Sequence, residues 1–258
     1  MDSSPGVTQQ KISIPNKDND KLVGVLHNTG SPDIVVLCHG YGCTKENEII
    51  VNLASALAKE GISAFRFDFA GVGESEGTFK YCRFQGEAED LHSVVEYFTA
   101  QKLKVAAIVG HSKGGDVALL YASKDQYVHT VVNVSARYDV HRGFDVFFGK
   151  DYMQRLKTDG FIRVVDKDGV EHRVTEEEMM DQLSTDMHEA CAQLDKSCRV
   201  LTIHGSKDEI NPVEDALEFD KVIPNHKLHI IEGADHFYKS HQTELVSIAI
   251  SFIMEGLK

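Results

Sequence analysis

Ser112 sits in the pentapeptide Gly110-His111-Ser112-Lys113-Gly114, between the apolar run Val105 to Val109 and the helical pattern of Val117, Ala118, Leu120 and Tyr121. A sharp strand-to-helix turn lifts the serine hydroxyl above the sheet, and glycines at 110 and 114 leave room where β-carbons would collide. The helix N-terminus beneath it offers unpaired N–H groups and the positive end of the helix dipole. Both favour the negative charge that develops when a hydroxyl attacks an ester carbonyl. A bare Gly-x-Ser-x-Gly is also a glycine turn with an idle serine. The strand before it and the helix after it make Ser112 a candidate nucleophile. Such a nucleophile needs a group that accepts its proton and returns it near neutral pH, which is imidazole chemistry. Of the 13 histidines, His236 in Gly233-Ala-Asp-His-Phe237 combines a glycine-bearing loop with the end of an apolar strand, downstream of Ser112.

In this setting the pentapeptide resembles the nucleophile elbow of the α/β-hydrolase superfamily, and the resemblance runs from about Asp33 to the C-terminus. It implies a triad in the chain order Ser, Asp, His, completed by Asp208 of Gly205-Ser-Lys-Asp-Glu-Ile-Asn-Pro212, with Glu209 as the nearest competitor. It also implies an oxyanion hole made of backbone N–H groups. One belongs to the residue after His-Gly in His39-Gly-Tyr-Gly42, here Tyr41, and the other to Lys113, the residue after the nucleophile. His39 is expected to be structural and the Lys113 side chain to face solvent.

Other chemistries fit less well. A Ser-Lys mechanism through Lys113 fails because neighbours on a tight elbow point apart and His236 is the better base. Asp68-Phe-Ala-Gly-Val-Gly-Glu-Ser75 lacks the Gly-Lys-Ser/Thr ending of a phosphate loop and does not open into an apolar helix; it resembles a family loop at the site rim. No histidine pair at helical spacing has a third ligand nearby, so neither a metal nor a cofactor is expected. Halide and epoxide chemistry recede because family members of that kind carry aspartate at the elbow.

The elements that must position these residues follow from periodicity. Lys11 to Ile14 and Leu22 to Leu26 flank a turn-rich segment and predict an antiparallel hairpin, with residues 1 to 9 expected to be disordered. From Asp33 onward apolar strands alternate with helical patterns: Ile34 to Cys38, then Ile49 to Ala58 ended by Gly61, then Ile62 to Asp68, then a helix face of Ala88, Leu91, Val95 and Phe98. The alternation predicts an α/β fold: a mostly parallel, doubly wound sheet with crossover helices, one domain over residues 1–258. The rhythm breaks at about residues 137–198, read as a cap insertion. Within it Phe161 to Val165 and Val170 to Val174 flank Asp166-Lys-Asp-Gly169 as a hairpin. Thr175 with Glu178 then caps one helix carrying Met179, Leu183, Met187, Ala190 and Leu194. The rhythm resumes at Val200 to Ile203 and continues to the C-terminus.

Forty acidic against 27 basic residues give a net charge of −13 with no Lys/Arg cluster, which argues against nucleic acid and anionic membrane as partners. No apolar run approaches the ~20 residues that span a bilayer, and the N-terminus lacks a signal-peptide core. A cytoplasmic enzyme is expected. The five cysteines fit neither zinc nor Cys-x-x-Cys spacing and are read as reduced thiols, with Cys38 in the core and Cys43 beside the site. Nothing speaks to oligomeric state.

Together these features imply a serine hydrolase that cleaves a small carboxylic ester through an acyl-enzyme on Ser112. Loop wording at His39 to Lys45 and Asp68 to Gly77, with the hairpin cap, is similar to cinnamoyl and feruloyl esterases of the superfamily and implies an aromatic acid ester. Tyr138, Phe144, Phe147, Phe148, Tyr152 and Phe161 crowd the cap and are expected to wall the pocket. A ligand sensor with slow turnover, an acyltransferase and a thioesterase are the alternatives.

Overall fold

A computed structural model describes residues 6–258 except 82, 126, 166–168 and 170. The chain opens with β1 (Thr8–Pro15) and β2 (Lys21–Asn28), an antiparallel pair. Strands and helices then alternate as β3 (Asp33–Cys38), α1 (Glu48–Lys59), β4 (Ser63–Phe67), α2 (Phe84–Ala100), β5 (Lys104–His111), α3 (Lys113–Lys124) and β6 (Thr130–Val134). After β6 come α4 (Phe144–Phe148), α5 (Tyr152–Asp159), the hairpin β7 (Phe161–Val165) and β8 (Glu171–Thr175), α6 (Glu176–Leu183) and α7 (Met187–Ala192). The remainder is β9 (Arg199–Gly205), α8 (Glu214–Val222), β10 (His226–Ile231) and α9 (Gln242–Gly256).

Eight strands form one sheet in the order β1-β2-β4-β3-β5-β6-β9-β10, antiparallel at β1/β2 and β2/β4 and parallel elsewhere. The central strands are apolar on both faces because helices cover both. On one face Leu91 of α2, Val117 of α3 and Phe219 of α8 join a core with Phe65 and Ile108. On the other, Leu53 of α1 and Phe252 of α9 pack with Val35, Val109 and Ile203. β3 pairs with β4 on one side and β5 on the other, so the chain reverses its direction of winding there. The crevice outside the carboxyl ends of β3 and β5 is where an open α/β sheet places its chemistry.

Three sequence expectations need correction. β1 begins at Thr8, so Thr8 and Gln9 are ordered strand: each pairs by backbone alone with β2 (Thr8↔Asn28, Gln9↔His27), and an exposed edge tolerates polar side chains. The helix after Thr175 is two helices. Thr175 does form the capping box with Glu178, but α6 ends at Leu183, and Asp186 caps α7 afresh by accepting from Glu189 N. α7 consequently leaves the cap: Met187, Ala190 and Cys191 pack in the core that holds α3 and α8. What stands over the crevice is α4, α5, α6 and the hairpin, with a small core of their own built on Phe144, Phe148, Leu156, Ile162, Val174 and Met179. The turn expected at Asp166-Lys-Asp-Gly169 falls at 166–168 outside the described residues, as does Cys82.

The loops that bring β3 and β4 to the crevice are held by a buried ion pair. Lys45 Nζ lies 2.7 Å from Asp68 Oδ2, with the two side chains 4% and 0% exposed. Lys45 N also donates to Asp68 Oδ1 at 2.7 Å, and Glu74 N to Asp68 Oδ2 at 3.0 Å. Gly73 passes so close that a β-carbon there would strike the Asp68 carboxylate. Truncating one partner of such a pair leaves an uncompensated buried charge. Lys45→Met is expected to lower unfolding free energy by about 3–5 kcal/mol, measured by urea denaturation at neutral pH; a change below about 1 kcal/mol, the scale of a surface pair, contradicts this account of the loops.

Candidate active site

Ser112 occupies the one-residue junction between β5 and α3 at φ 54 and ψ −127. A non-glycine residue holds such a conformation only where its surroundings over-determine it. Here Ser112 N donates to Val134 O at 2.8 Å, and Gly115 N donates to Ser112 O at 2.8 Å. The close packing is literal: a β-carbon at Gly114 would lie 2.5 Å from the carbonyl oxygens of Cys38 and His39, and one at Gly110 would collide with the Gly114 carbonyl. Lys113 N is the first amide of α3, one of the helix-start donors that lack an intrahelical acceptor.

The His39–Gly42 loop runs directly beside the elbow, since a β-carbon at Gly40 would sit 3.0 Å from Ser112 Cβ. His39 is buried; its Nδ1 donates to Gly40 O at 2.9 Å and its Nε2 accepts from Phe69 N at 3.3 Å. Burial pulls its pKa down to about 4, so the ring is a neutral link between two loops. The Tyr41 side chain is 43% exposed and leans on Tyr81, with ring centroids 5.2 Å apart.

Asp208 and His236 come together from the ends of β9 and β10. His236 Nδ1 donates to Asp208 Oδ2 at 2.8 Å, both side chains being buried. The second carboxylate oxygen accepts from Ile210 N at 2.9 Å and Asn211 N at 2.8 Å. Burial alone raises the Asp208 pKa; the hydrogen bond and charge of His236 and the two amides outweigh it, and the net shift is downward. Glu209, the sequence competitor, reaches the backbone N of His236 at 3.4 Å and does not touch the ring.

The neighbours of this pair were not singled out from the sequence. His111 Nε2 donates to His236 O at 3.0 Å and its ring lies 4.9 Å from that of His236; burial lowers its pKa to about 3. His204 Nε2 donates to Asn211 O at 2.8 Å and stands 3.5 Å from Asp208 Oδ2. Tyr238, fully buried with φ 52, ties the His236 loop to the sheet through Ser135 Oγ at 2.8 Å and Ile203 O at 3.2 Å. Chain position gives little hint of these partners, because most of the contacts join segments far apart in the chain.

The Lys113 side chain departs from expectation. It is 8% exposed rather than solvated, paired with Glu87 of α2 at 2.8 Å and lying over the Phe84 ring at 5.1 Å. α2 packs against α3, so the first side chain of α3 meets the start of α2 and not water.

A cavity of about 690 Å³ opens above Ser112. Of the six cap aromatics, Phe144, Phe147 and Phe148 line it, joined by Tyr41, Tyr81 and Phe84 from outside the cap. Of the other three, Tyr152 and Phe161 pack within the cap, whereas Tyr138 packs on the main core. Tyr138 packs on Phe219 and bonds to His188, Tyr152 rests on Phe144 and Phe148, and Phe161 sits against Arg163 and Arg173. The hairpin therefore supports the wall without lining it. Among the described residues no group of three or more His, Cys, Asp or Glu side chains is placed to hold a metal, and no helix is long and apolar enough to cross a membrane.

Strand order, elbow and winding define an α/β hydrolase. Residues 31–238 match the family described as serine aminopeptidase, S33, and the chain belongs to that family. The fold is similar to Est1E from Butyrivibrio proteoclasticus, solved with ferulic acid bound, at TM-score 0.83 and 22% identity over 95% of this chain and 99% of that one. It is also similar to the Pyrococcus furiosus esterase Pf2001, at TM-score 0.74 and 21% identity over 98% and 92% of the two chains. An uncharacterized 31.7 kDa protein of the traX-finO intergenic region of Escherichia coli is 29% identical over 103 residues. That match spans 39% of this chain and 36% of the relative.

The lowered Asp208 pKa has a signed consequence for stability. A carboxyl whose folded pKa is depressed stabilises the fold fully above its unfolded value of roughly 3.9 and loses that contribution as pH falls through the folded value. Asp208→Asn is expected to be less stable than wild type at pH 7, with the gap in urea midpoint closing below about pH 4. A gap independent of pH between 7 and 3 refutes the ionised Asp208.

Proposed function

We propose that the protein hydrolyses a small carboxylic ester by way of an acyl-enzyme on Ser112. The observation that carries the reading is the Asp208–His236 hydrogen bond of 2.8 Å, with His236 against His111 of the strained serine elbow and Ser112 lining the cavity. In this mechanism Ser112 Oγ bonds to the ester carbonyl carbon while His236 Nε2 takes the hydroxyl proton. The oxyanion is held by the backbone N–H groups of Tyr41 and Lys113. The tetrahedral species collapses with transfer of that proton to the leaving alcohol. Water, deprotonated by the same imidazole, then cleaves the acyl-serine bond and restores the hydroxyl. Asp208 keeps the proton on Nδ1, which leaves Nε2 free to act as base, and stabilises the charged imidazolium.

Residues 1–258 act in this reading as one domain with a cap, in the cytoplasm, where the buried thiols of Cys38, Cys191 and Cys198 suit a reducing compartment. The aromatic lining supports an aromatic acyl ester as substrate, as does the fold shared with Est1E, whose structure holds ferulic acid. Flat rings are matched by edge-to-face contacts, each worth roughly 0.5–1.5 kcal/mol beyond burial.

Ser112→Ala is expected to stay folded, to lose labelling by a fluorophosphonate probe and to lose turnover of an ester panel by on the order of 10⁶. Labelling that survives the substitution refutes the nucleophile. Wild type is expected to prefer a hydroxycinnamate ester over a long-chain aliphatic one, and Phe147→Ala, at a cavity position 57% exposed, to reduce that preference several-fold. A wild-type preference for the long chain refutes the aromatic class.

A further inference from the structure

We propose that Arg137 anchors a free carboxylate on the substrate, so that the cavity takes esters bearing an additional ionised carboxyl group on their acyl or alcohol part. The inference rests on Ser112 being the nucleophile, since it concerns what the same cavity selects.

Arg137 lines the cavity with Ser112. The other cations there are already closed: Lys113 by Glu87 at 2.8 Å, and Arg142 by both oxygens of Asp215 at 2.8 and 2.5 Å. Arg137 meets neutral acceptors instead. Its Nε donates to Asn211 Oδ1 at 2.7 Å, and its two terminal nitrogens donate to Ile210 O at 3.1 Å and Arg142 O at 3.4 Å. A guanidinium has five N–H donors, so one remains on each terminal nitrogen, and a guanidinium with donors to spare suits a carboxylate. The contrast within the chain is informative. Arg66, Arg83, Arg142, Arg155, Arg163 and Arg199 each pair with a carboxylate, in a protein with 40 acidic residues and a net charge of −13. Among the described residues no carboxylate lies within ion-pair distance of the Arg137 guanidinium.

Asp116 faces the same cavity one helical turn beyond Ser112 and is 1% exposed. Its Oδ1 accepts from the backbone N of Arg137 at 3.1 Å, not from the guanidinium. Burial holds its carboxyl well above the usual range, against the pull of Arg137. The Arg137 guanidinium thus stands on the cavity wall that holds Ser112, with the Asp116 carboxyl engaged by the Arg137 backbone and not by its side chain.

The test uses two matched pairs of esters on the full chain. One pair is the 4-nitrophenyl half ester of succinate against 4-nitrophenyl butyrate; the other is butyryl glycolate against its methyl ester. In at least one pair wild type is expected to favour the carboxylate-bearing ester by about tenfold or more in kcat/KM, the scale of a charge-assisted hydrogen bond. Arg137→Met is expected to abolish that preference and Arg137→Lys to keep part of it. Added salt should erode the wild-type ratio by screening. No preference in either pair, or the same preference in Arg137→Met, overturns the proposal. If Arg137→Met fails to fold because its bond to Asn211 is lost, the salt response and Arg137→Lys decide: a ratio that neither changes overturns it. If no ester turns over, calorimetry with glutarate decides, with binding to wild type and not to Arg137→Met expected and equal or absent binding overturning the anchor. A failure of the nucleophile itself is separate, showing as absent fluorophosphonate labelling of Ser112.

Discussion

A serine held at φ 54 and ψ −127 is the constraint on which the rest depends. Backbone in that region costs on the order of 1–3 kcal/mol, so the fold must impose it. It does so with close packing that tolerates no β-carbon at Gly110 or Gly114 and little at Gly40. That packing requires β3 and β5 to be neighbours in register, Cys38 opposite Gly110, which places the His39–Gly42 loop against the elbow. Strand order, loop placement and the position of the cavity are consequences of one tight turn.

Around the turn, the polar groups are arranged so that most are electrically silent. His39 and His111 are buried as neutral rings, each donating to a backbone carbonyl, and they link loops without adding charge. Asp208 is the exception: burial opposes its ionisation, yet three N–H donors converge on it and hold it ionised. His204, the second imidazole near this carboxylate, spends its Nε2 on Asn211 O, so the stabilised negative charge of Asp208 sets the tautomer of His236.

The fold, and the placing of Ser112, Asp208 and His236 at strand ends on one side of the sheet, are legible in the sequence, because they rest on local patterns: apolar runs, glycines at fixed offsets and residues at strand ends. What was not legible is carried by contacts between segments. Lys113 reads as a surface lysine at the head of a helix; only the packing of α2 on α3 supplies Glu87 and Phe84 to bury it. The apolar stripe from Met179 to Leu194 reads as one helix, but Asp186 caps a second start and turns Met187 and Ala190 into another core. The six cap aromatics are equivalent in sequence, yet only three line the cavity, while Tyr81 and Phe84 enter the wall from the loop before α2 and from its first residue. Tyr238 is invisible in sequence because its partners Ser135 and Ile203 lie just after β6 and on β9, far away in the chain.

The cap has its own small core, separate from the two that sandwich the sheet. Phe144 and Phe148 belong to that core and also form the cavity wall, whereas Ser112, Asp208 and His236 are fastened to sheet strands and their loops. Cooperative units with few buried apolar contacts open at lower free energy than the body they sit on. Under the proposed mechanism, substrate discrimination and bond cleavage fall to units of unequal rigidity: as temperature or denaturant rises, selectivity is expected to fade before turnover does.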